Sequence, residues 1–309
     1  MTTALITHPA CLAHEPPQGH PERSARLVEV LKALEAAEFR ALKRESAPQA
    51  SKAALERVHA RDYVEAVLAI IPKSGFARLD ADTIASPGTG EAVLRAAGAV
   101  VKAVDMVIAG EVKNAFCAVR PPGHHATPNR AMGFCFFNNV AVGALQARAV
   151  HGLKRIAVVD FDVHHGNGTQ DIFTPDANLF YASTHQSPLY PGTGSADQTG
   201  IAHNIVNVPL PPGAGGAEFR RALESVILPA LTRFAPDFLL ISAGFDAHRD
   251  DPLAQLRFEE SDYGWATGVL CTAAERLCKG RVVSTLEGGY DLDALAASAA
   301  AHVRALMAA

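Results

Sequence analysis

Short apolar runs alternate along this chain with longer stretches of helical periodicity. Residues 4–7, Asn114–Val119, Ile156–Val159, Asn178–Ser183, Asn204–Leu210, Phe238–Ser242 and Arg281–Leu286 read as strands. Several are apolar throughout, as strands buried on both faces are. The stretch opening at His20-Pro21-Glu22 sets Leu27, Val30, Leu31 and Leu34 on one helical face, and Pro21 suits a first turn. Helices are also predicted over 53–71, 91–109 (ended by Gly110), 138–150, 218–234, 260–278 and 291–308. Strands alternating with helices predict a mostly parallel sheet with helices on both faces. No repeat or low-complexity linker interrupts the pattern, so 1–309 reads as a single domain.

The strands break their own pattern at their carboxyl ends. After Val159 come Asp160, Asp162 and His164, two apart and so on one face of an extended chain, then Gly166-Asn167-Gly168 at a turn. Buried carboxylates without partners cost several kcal/mol. Solvent or a helix N-terminus could receive them; so could a cation, and carboxylates with an imidazole suit zinc or a similar divalent ion. Asn114–Val119 runs into Arg120-Pro121-Pro122-Gly123-His124-His125, where a rigid turn positions two adjacent histidines. The strand at 238–242 leads to Asp246 and the last strand to Tyr290. Parallel strands bring these ends to one edge, where ligands bind in such sheets. Asp162, His164 and Asp246 then make three ligands and leave a position open, the catalytic pattern. His124 and His125 can move a proton, Tyr290 can donate to an oxyanion, and Asp160 and Asn167 can orient the imidazoles. The chemistry so read is metal-assisted amide hydrolysis.

Three stretches stay open on spacing alone. The aromatics of 131–137 fit core packing or pocket lining, and the acids of Leu79–Gly90 fit solvent or a site rim. Arg23 fits a solvated helix charge. The GTGS at 192–195 lacks the Lys-Ser/Thr of a phosphate loop.

Charge and composition narrow the partners. A net charge of −4 with no basic block disfavours direct nucleic-acid binding. Five cysteines, an odd number without a CxxC, read as reduced thiols in a cytoplasmic protein. The first residues lack a basic segment followed by an apolar one, so neither a signal peptide nor a membrane span is expected.

PPGHH (121–125), GFCFFNN (133–139), VDFDVHHGNGTQ (159–170), SAGFDAHRDDPL (242–253) and LEGGY (286–290) together resemble the zinc-dependent histone deacetylase family, in its class II and bacterial forms. The resemblance extends from GHPER (19–23) to the final helix. It implies a three-layer α/β/α arginase-like fold with an eight-stranded parallel sheet. It implies zinc, or iron(II) in its place, on Asp162, His164 and Asp246. His124 and His125 match the tandem histidines, the second being the usual proton carrier, and Tyr290 matches the oxyanion donor. Gly133 and Phe134 match a pocket carbonyl and its aromatic neighbour. Tyr190 stands where Phe is usual, which makes the tunnel slightly more polar. Asp82 matches a rim residue, Leu253 a gate at the mouth, and Arg23 an arginine lining the acetate exit. Structural potassium is implied near Asp160, Asp162, His164, Ser183 and Thr184, and again on the carbonyls of Phe173, Asp176 and Leu179. Asn167 replaces an acid common in class I, which makes His125 the less basic of the pair. The implied substrate is acyl-lysine in a protein or peptide, or a small acylated amine such as an acetylpolyamine. A two-metal arginase-type reaction has too few ligands here, and an inactive binding protein would have lost a ligand or the tyrosine.

Overall fold

The computed structural model describes residues 2–309. Its strands are β1 (Thr3–Thr7), β2 (Lys43–Ser46), β3 (Ala77–Arg78), β4 (Ile84–Ala85), β5 (Asn114–Cys117), β6 (Ile156–Asp160), β7 (Leu179–Gln186), β8 (Ile205–Leu210), β9 (Phe238–Ala243) and β10 (Val282–Leu286). Eight of them form one sheet in the order β2-β1-β5-β10-β9-β6-β7-β8, with every neighbouring pair parallel. The short β3 and β4 pair separately and antiparallel.

The helices are α1 (Ser24–Ala33), α2 (Lys52–Leu55), α3 (Arg61–Ala69), α4 (Thr89–Ile108), α5 (Asn139–Ala149), α6 (Asn167–Phe173), α7 (Gly216–Ala222), α8 (Leu228–Phe234), α9 (Glu260–Cys278) and α10 (Leu292–Ala308). α4 and α5 pack together over one face of the sheet, and α1, α9 and α10 over the other. The result is the three-layer α/β/α sandwich. Every residue of β5, β6, β7, β9 and β10 is buried, which is why these strands are so apolar in sequence. No helix among the described residues is long and apolar enough to cross a membrane.

Several boundaries differ from the sequence reading. β6 stops at Asp160, and Asp162 and His164 lie on the bend beyond it, where the chain leaves the ladder to reach the site. α1 starts at Ser24 instead of His20, because Glu22 is buried in an ion-pair cluster. The stretch 53–71 is two helices, α2 and α3. Strand β2 carries the charged sequence KRES and gave no apolar signal. It is an edge strand, and charge there discourages pairing with another chain. The helical stretch near 218–234 holds a π turn at Leu223–Ile227, just ahead of Pro229, whose missing N–H disturbs the regular ladder.

Candidate active site

β5, β10, β9 and β6 are consecutive in the sheet, and their carboxyl ends feed one cavity. Register aligns them: Asp160 lies opposite Ser242 on β9 and Ser183 on β7. The bend after β6 carries Asp162 and His164, and the loop after β9 carries Asp246. Ligand atoms of these three lie within 4.8 Å of one another. His164 Nδ1 is 3.1 Å from both Asp162 Oδ1 and Asp246 Oδ2. All three side chains are buried, and two carboxylates with an imidazole suit zinc or another borderline divalent ion. Backbone N–H groups aim the carboxylates: Gly288 donates to Asp162 Oδ2 at 2.8 Å, and Val163 to Asp246 Oδ1 at 2.9 Å. Glycine is needed at 288, since a Cβ there would come within 2.0 Å of Asp246 Oδ2.

The turn after β5 places His124 and His125 side by side, ring centroids 4.0 Å apart. Their partners differ. His124 Nδ1 donates to Asp160 Oδ2 at 2.9 Å, whereas His125 Nδ1 donates to Asn167 Oδ1 at 2.8 Å. Burial lowers the pKa of His124, but the Asp162 and Asp160 carboxylates outweigh it and raise the pKa to about 10. Burial, reinforced by the charges of His124 and His164, pushes His125 well below the usual histidine range. Two residues to which the sequence reading gives no role support this pair. Tyr181 on β7 donates to Asp160 Oδ2 at 3.0 Å and accepts from Gly166 N at 2.9 Å. Glu287 Oε2 accepts from the N–H groups of Gly123 (2.6 Å) and His124 (3.2 Å). Burial raises Glu287 to about 7, with His124 opposing.

These groups face a cavity of about 220 Å³ whose walls include Phe134, Leu189, Tyr190, Leu253 and Tyr290. Gly133 and Phe134 form a tight turn with φ of 57° and 67°, closed by paired Met132 and Cys135. A phenylalanine at positive φ costs about 1–2 kcal/mol. The loop at 82–83 holds it there: Gly133 N donates to Asp82 Oδ1 and Phe134 N to Thr83 Oγ1, each at 3.1 Å. Asp82 thus lines the cavity but has one oxygen engaged by its own chain. Gly133 O accepts from the Cys135 thiol. Tyr190 is 39% exposed, with its ring 5.2 Å from that of His125. Leu253 is half-buried, and Asp251 accepts from both Leu253 N (3.0 Å) and Tyr290 N (2.7 Å). Burial holds Tyr290 well above the usual phenol range, against the pull of Arg26, so its hydroxyl stays a donor.

Arg23 is exposed at the N-terminus of α1 and does not reach the cavity. One turn on, Arg26 is fully buried with its guanidinium 4.8 Å from the centre of the Tyr290 ring. It donates to Gly289 O at 2.5 Å and Glu287 O at 2.6 Å. Its position on the face of Leu27 and Val30, four after Glu22, was the available signal. The implied potassium residues fall in two places. Ser183 and Thr184 stand on β7 beside Asp160, with Thr184 Oγ1 buried and unpartnered. The carbonyls of Phe173, Asp176 and Leu179 do converge, but onto the side-chain amide of Asn204.

A family model, the histone deacetylase domain, matches residues 20–306. The chain belongs to the histone deacetylase family. It is 42% identical over 318 residues to histone deacetylase 14, chloroplastic, of Arabidopsis thaliana, covering 96% of this chain and 75% of that protein. It is 38% identical to a probable deacetylase of Archaeoglobus fulgidus, covering 95% and 82%. A histone deacetylase-like amidohydrolase of Pseudomonas aeruginosa is 42% identical over 249 residues, 79% of this chain and 65% of that one. The solved HDA15 HD domain superposes with a TM-score of 0.94 at 38% identity, covering 99% of this chain and 88% of that chain. Membership makes this histone deacetylase relative a deacetylase or amidohydrolase enzyme, and the superposition assigns it the three-layer fold of the HDA15 domain.

Proposed function

We propose that this single 1–309 domain removes acetyl or other short acyl groups from lysine side chains in a zinc-dependent hydrolysis. The reading rests on one observation: His124, His125, His164 and Tyr290 line one cavity, with Asp162 and Asp246 directly against His164. Asp162, His164 and Asp246 would hold a divalent cation, which would supply Lewis acidity for the hydrolysis. His125 is neutral at neutral pH, and its bond to Asn167 directs the proton to Nδ1 and leaves Nε2 free. Nε2 takes the proton of the attacking water and returns it to the leaving amine. His124, kept protonated by the Asp162 and Asp160 carboxylates, supplies fixed positive charge. The neutral Tyr290 hydroxyl donates to the developing oxyanion. Phe134 and Tyr190 flank the methylene chain of the substrate lysine.

Leu253 favours acyl-lysine over acetylpolyamines. An apolar side chain at the mouth offers nothing to a second ammonium, which would be partly desolvated without a partner. A structural potassium by Asp160, Asp162, His164, Ser183 and Thr184 fits the orphaned Thr184 hydroxyl and the excess of buried carboxylates. Five free, buried cysteines suit a reducing compartment, the cytoplasm.

The test is metal analysis of the purified protein with turnover of an acetyl-lysine peptide, of N8-acetylspermidine, and of each after reconstitution with zinc or iron(II). We expect one divalent ion per chain and a higher kcat/KM for the peptide. A tenfold preference for the polyamine would overturn the substrate assignment. No turnover by the metal-loaded protein on either would overturn the enzymatic one.

A further inference from the structure

The corner between α6 and β7 gathers three main-chain carbonyls. Phe173 ends α6, where a helix leaves carbonyls without intrahelical partners and presents the negative end of its dipole. Asp176 belongs to the turn that follows, and Leu179 is the first residue of β7. Family resemblance puts a cation on these oxygens. In this chain Asn204, the residue before β8, reaches into the same point. Its Nδ2 lies 3.0 Å from Phe173 O, 3.1 Å from Asp176 O and 2.8 Å from Leu179 O. Asn204 is only 2% exposed and is fixed on its other sides: Oδ1 accepts from Ala202 N at 3.3 Å, and its backbone carbonyl from Tyr181 N at 2.9 Å. A cation bridging the three carbonyls would have to stand where the amide nitrogen stands.

We propose that the Asn204 amide replaces the second structural cation, so that this corner is closed by hydrogen bonds and binds no ion. Two amide protons serve three carbonyls, with one bond shared. That suffices because Phe173 O also accepts from Asp176 N (3.1 Å), and Asp176 O from Leu179 N (3.0 Å). The reversed amide would set four oxygens against one another without a proton among them. The cradle at Ser183 and Thr184 is different: Thr184 Oγ1 has no partner and no amide fills it. The closed corner also matters to the active site. It joins α6, whose Asn167 receives His125, to β7, whose Tyr181 holds Asp160. Asn204 therefore frees this corner of the support, though not the cradle at Ser183 and Thr184, from any need for potassium.

Crystals of the full chain soaked in thallium(I), a potassium surrogate with strong anomalous scattering, test this directly. We expect no thallium peak on the carbonyls of Phe173, Asp176 and Leu179. A peak there, with the Asn204 side chain turned away, would overturn the proposal. Asn204→Ala opens the cradle. Its Tm should then rise on exchanging N-methylglucamine chloride for potassium chloride by about 1–2 °C more than wild type, the shift that roughly 1 kcal/mol produces in a chain of 309 residues. A variant that folds and responds to potassium as wild type does would also overturn it. If Asn204→Ala does not fold, the thallium map of the wild-type chain alone decides.

Discussion

Two clusters of buried charge lie back to back in this molecule and are built in opposite ways. In the first, Glu22 sits between Arg26, Arg120 and His14, with contacts of 3.1, 2.7 and 3.2 Å, and all four side chains are buried. The spare arginine N–H groups go to the carbonyls of Cys11, His14, Glu287 and Gly289. In the second, Asp160, Asp162, Asp246 and Glu287 face only three imidazoles, one of them neutral. Among the described residues no arginine or lysine donates to these four carboxylates; they accept from backbone, hydroxyl and imidazole donors. A buried acid matched by guanidinium is finished structure. Buried acids left short of positive charge mark where an ion belongs. The clusters meet at the loop 287–290, where Arg26 grips the backbone on either side of Gly288 and lies over the Tyr290 ring.

The sharpest way to break this contrast is to remove an acid from the deficient cluster. Asp246→Ala should lose both the divalent ion and turnover, because the two remaining ligands come from one bend. Full metal occupancy by elemental analysis would refute the ligand assignment. His125→Ala should lower kcat by roughly 10²–10⁴ and hurt more than His124→Ala. The pH profile carries the same assignment. In the role proposed for it His125 is neutral, and its pKa is depressed, so kcat/KM should hold as pH falls through 6.5 and drop only below it. His124 is protonated in the role proposed for it, so activity should fall on the alkaline side near about 10. An acid limb at pH 7 or above would reverse the two roles.

In the matched cluster the signature should be stability instead of metal. Glu22→Gln leaves two guanidiniums without their counter-charge and should cost roughly 3–5 kcal/mol in denaturant unfolding. Metal content per folded chain should stay at wild-type level; its loss would mean the two clusters are not separable. Where they meet, Tyr290→Phe keeps the ring against Arg26 and removes one donor. Turnover should fall by roughly 10²–10³ with metal unchanged. A change within twofold would remove Tyr290 from the chemistry. The smallest effect belongs to the mouth. Leu253→Glu should add about 1 kcal/mol of attraction for a second ammonium, near the aqueous limit. The kcat/KM ratio should move several-fold toward acetylpolyamines, and an unmoved ratio would show that Leu253 does not face the substrate.

The alternation of apolar strands and amphipathic helices was legible because each depends on neighbours a few residues away. So were the strand ends, since Asp160, Asp162, His164, Asp246 and the two histidines interrupt apolar runs that a core would otherwise continue. Strand β2 was not, because an edge strand guarded by charge has no apolar period to read. Arg26 is not distinguishable from Arg23 in sequence, because both sit in the same helical opening. Only contacts with residues more than 260 positions away select the buried one. Tyr181, Glu287 and Asn204 are ordinary residues in sequence, and the sheet gives each its role. Tyr181 and Glu287 meet the Asp160–His124 pair across the parallel ladders β6–β7 and β5–β10, and Asn204 meets three carbonyls across β7–β8. Local pattern determined which elements form and which acids have no business in a core. Tertiary packing decided which of those acids its own cations satisfy, and which carbonyls an amide closes, because both depend on distances between parts of the chain that no spacing encodes.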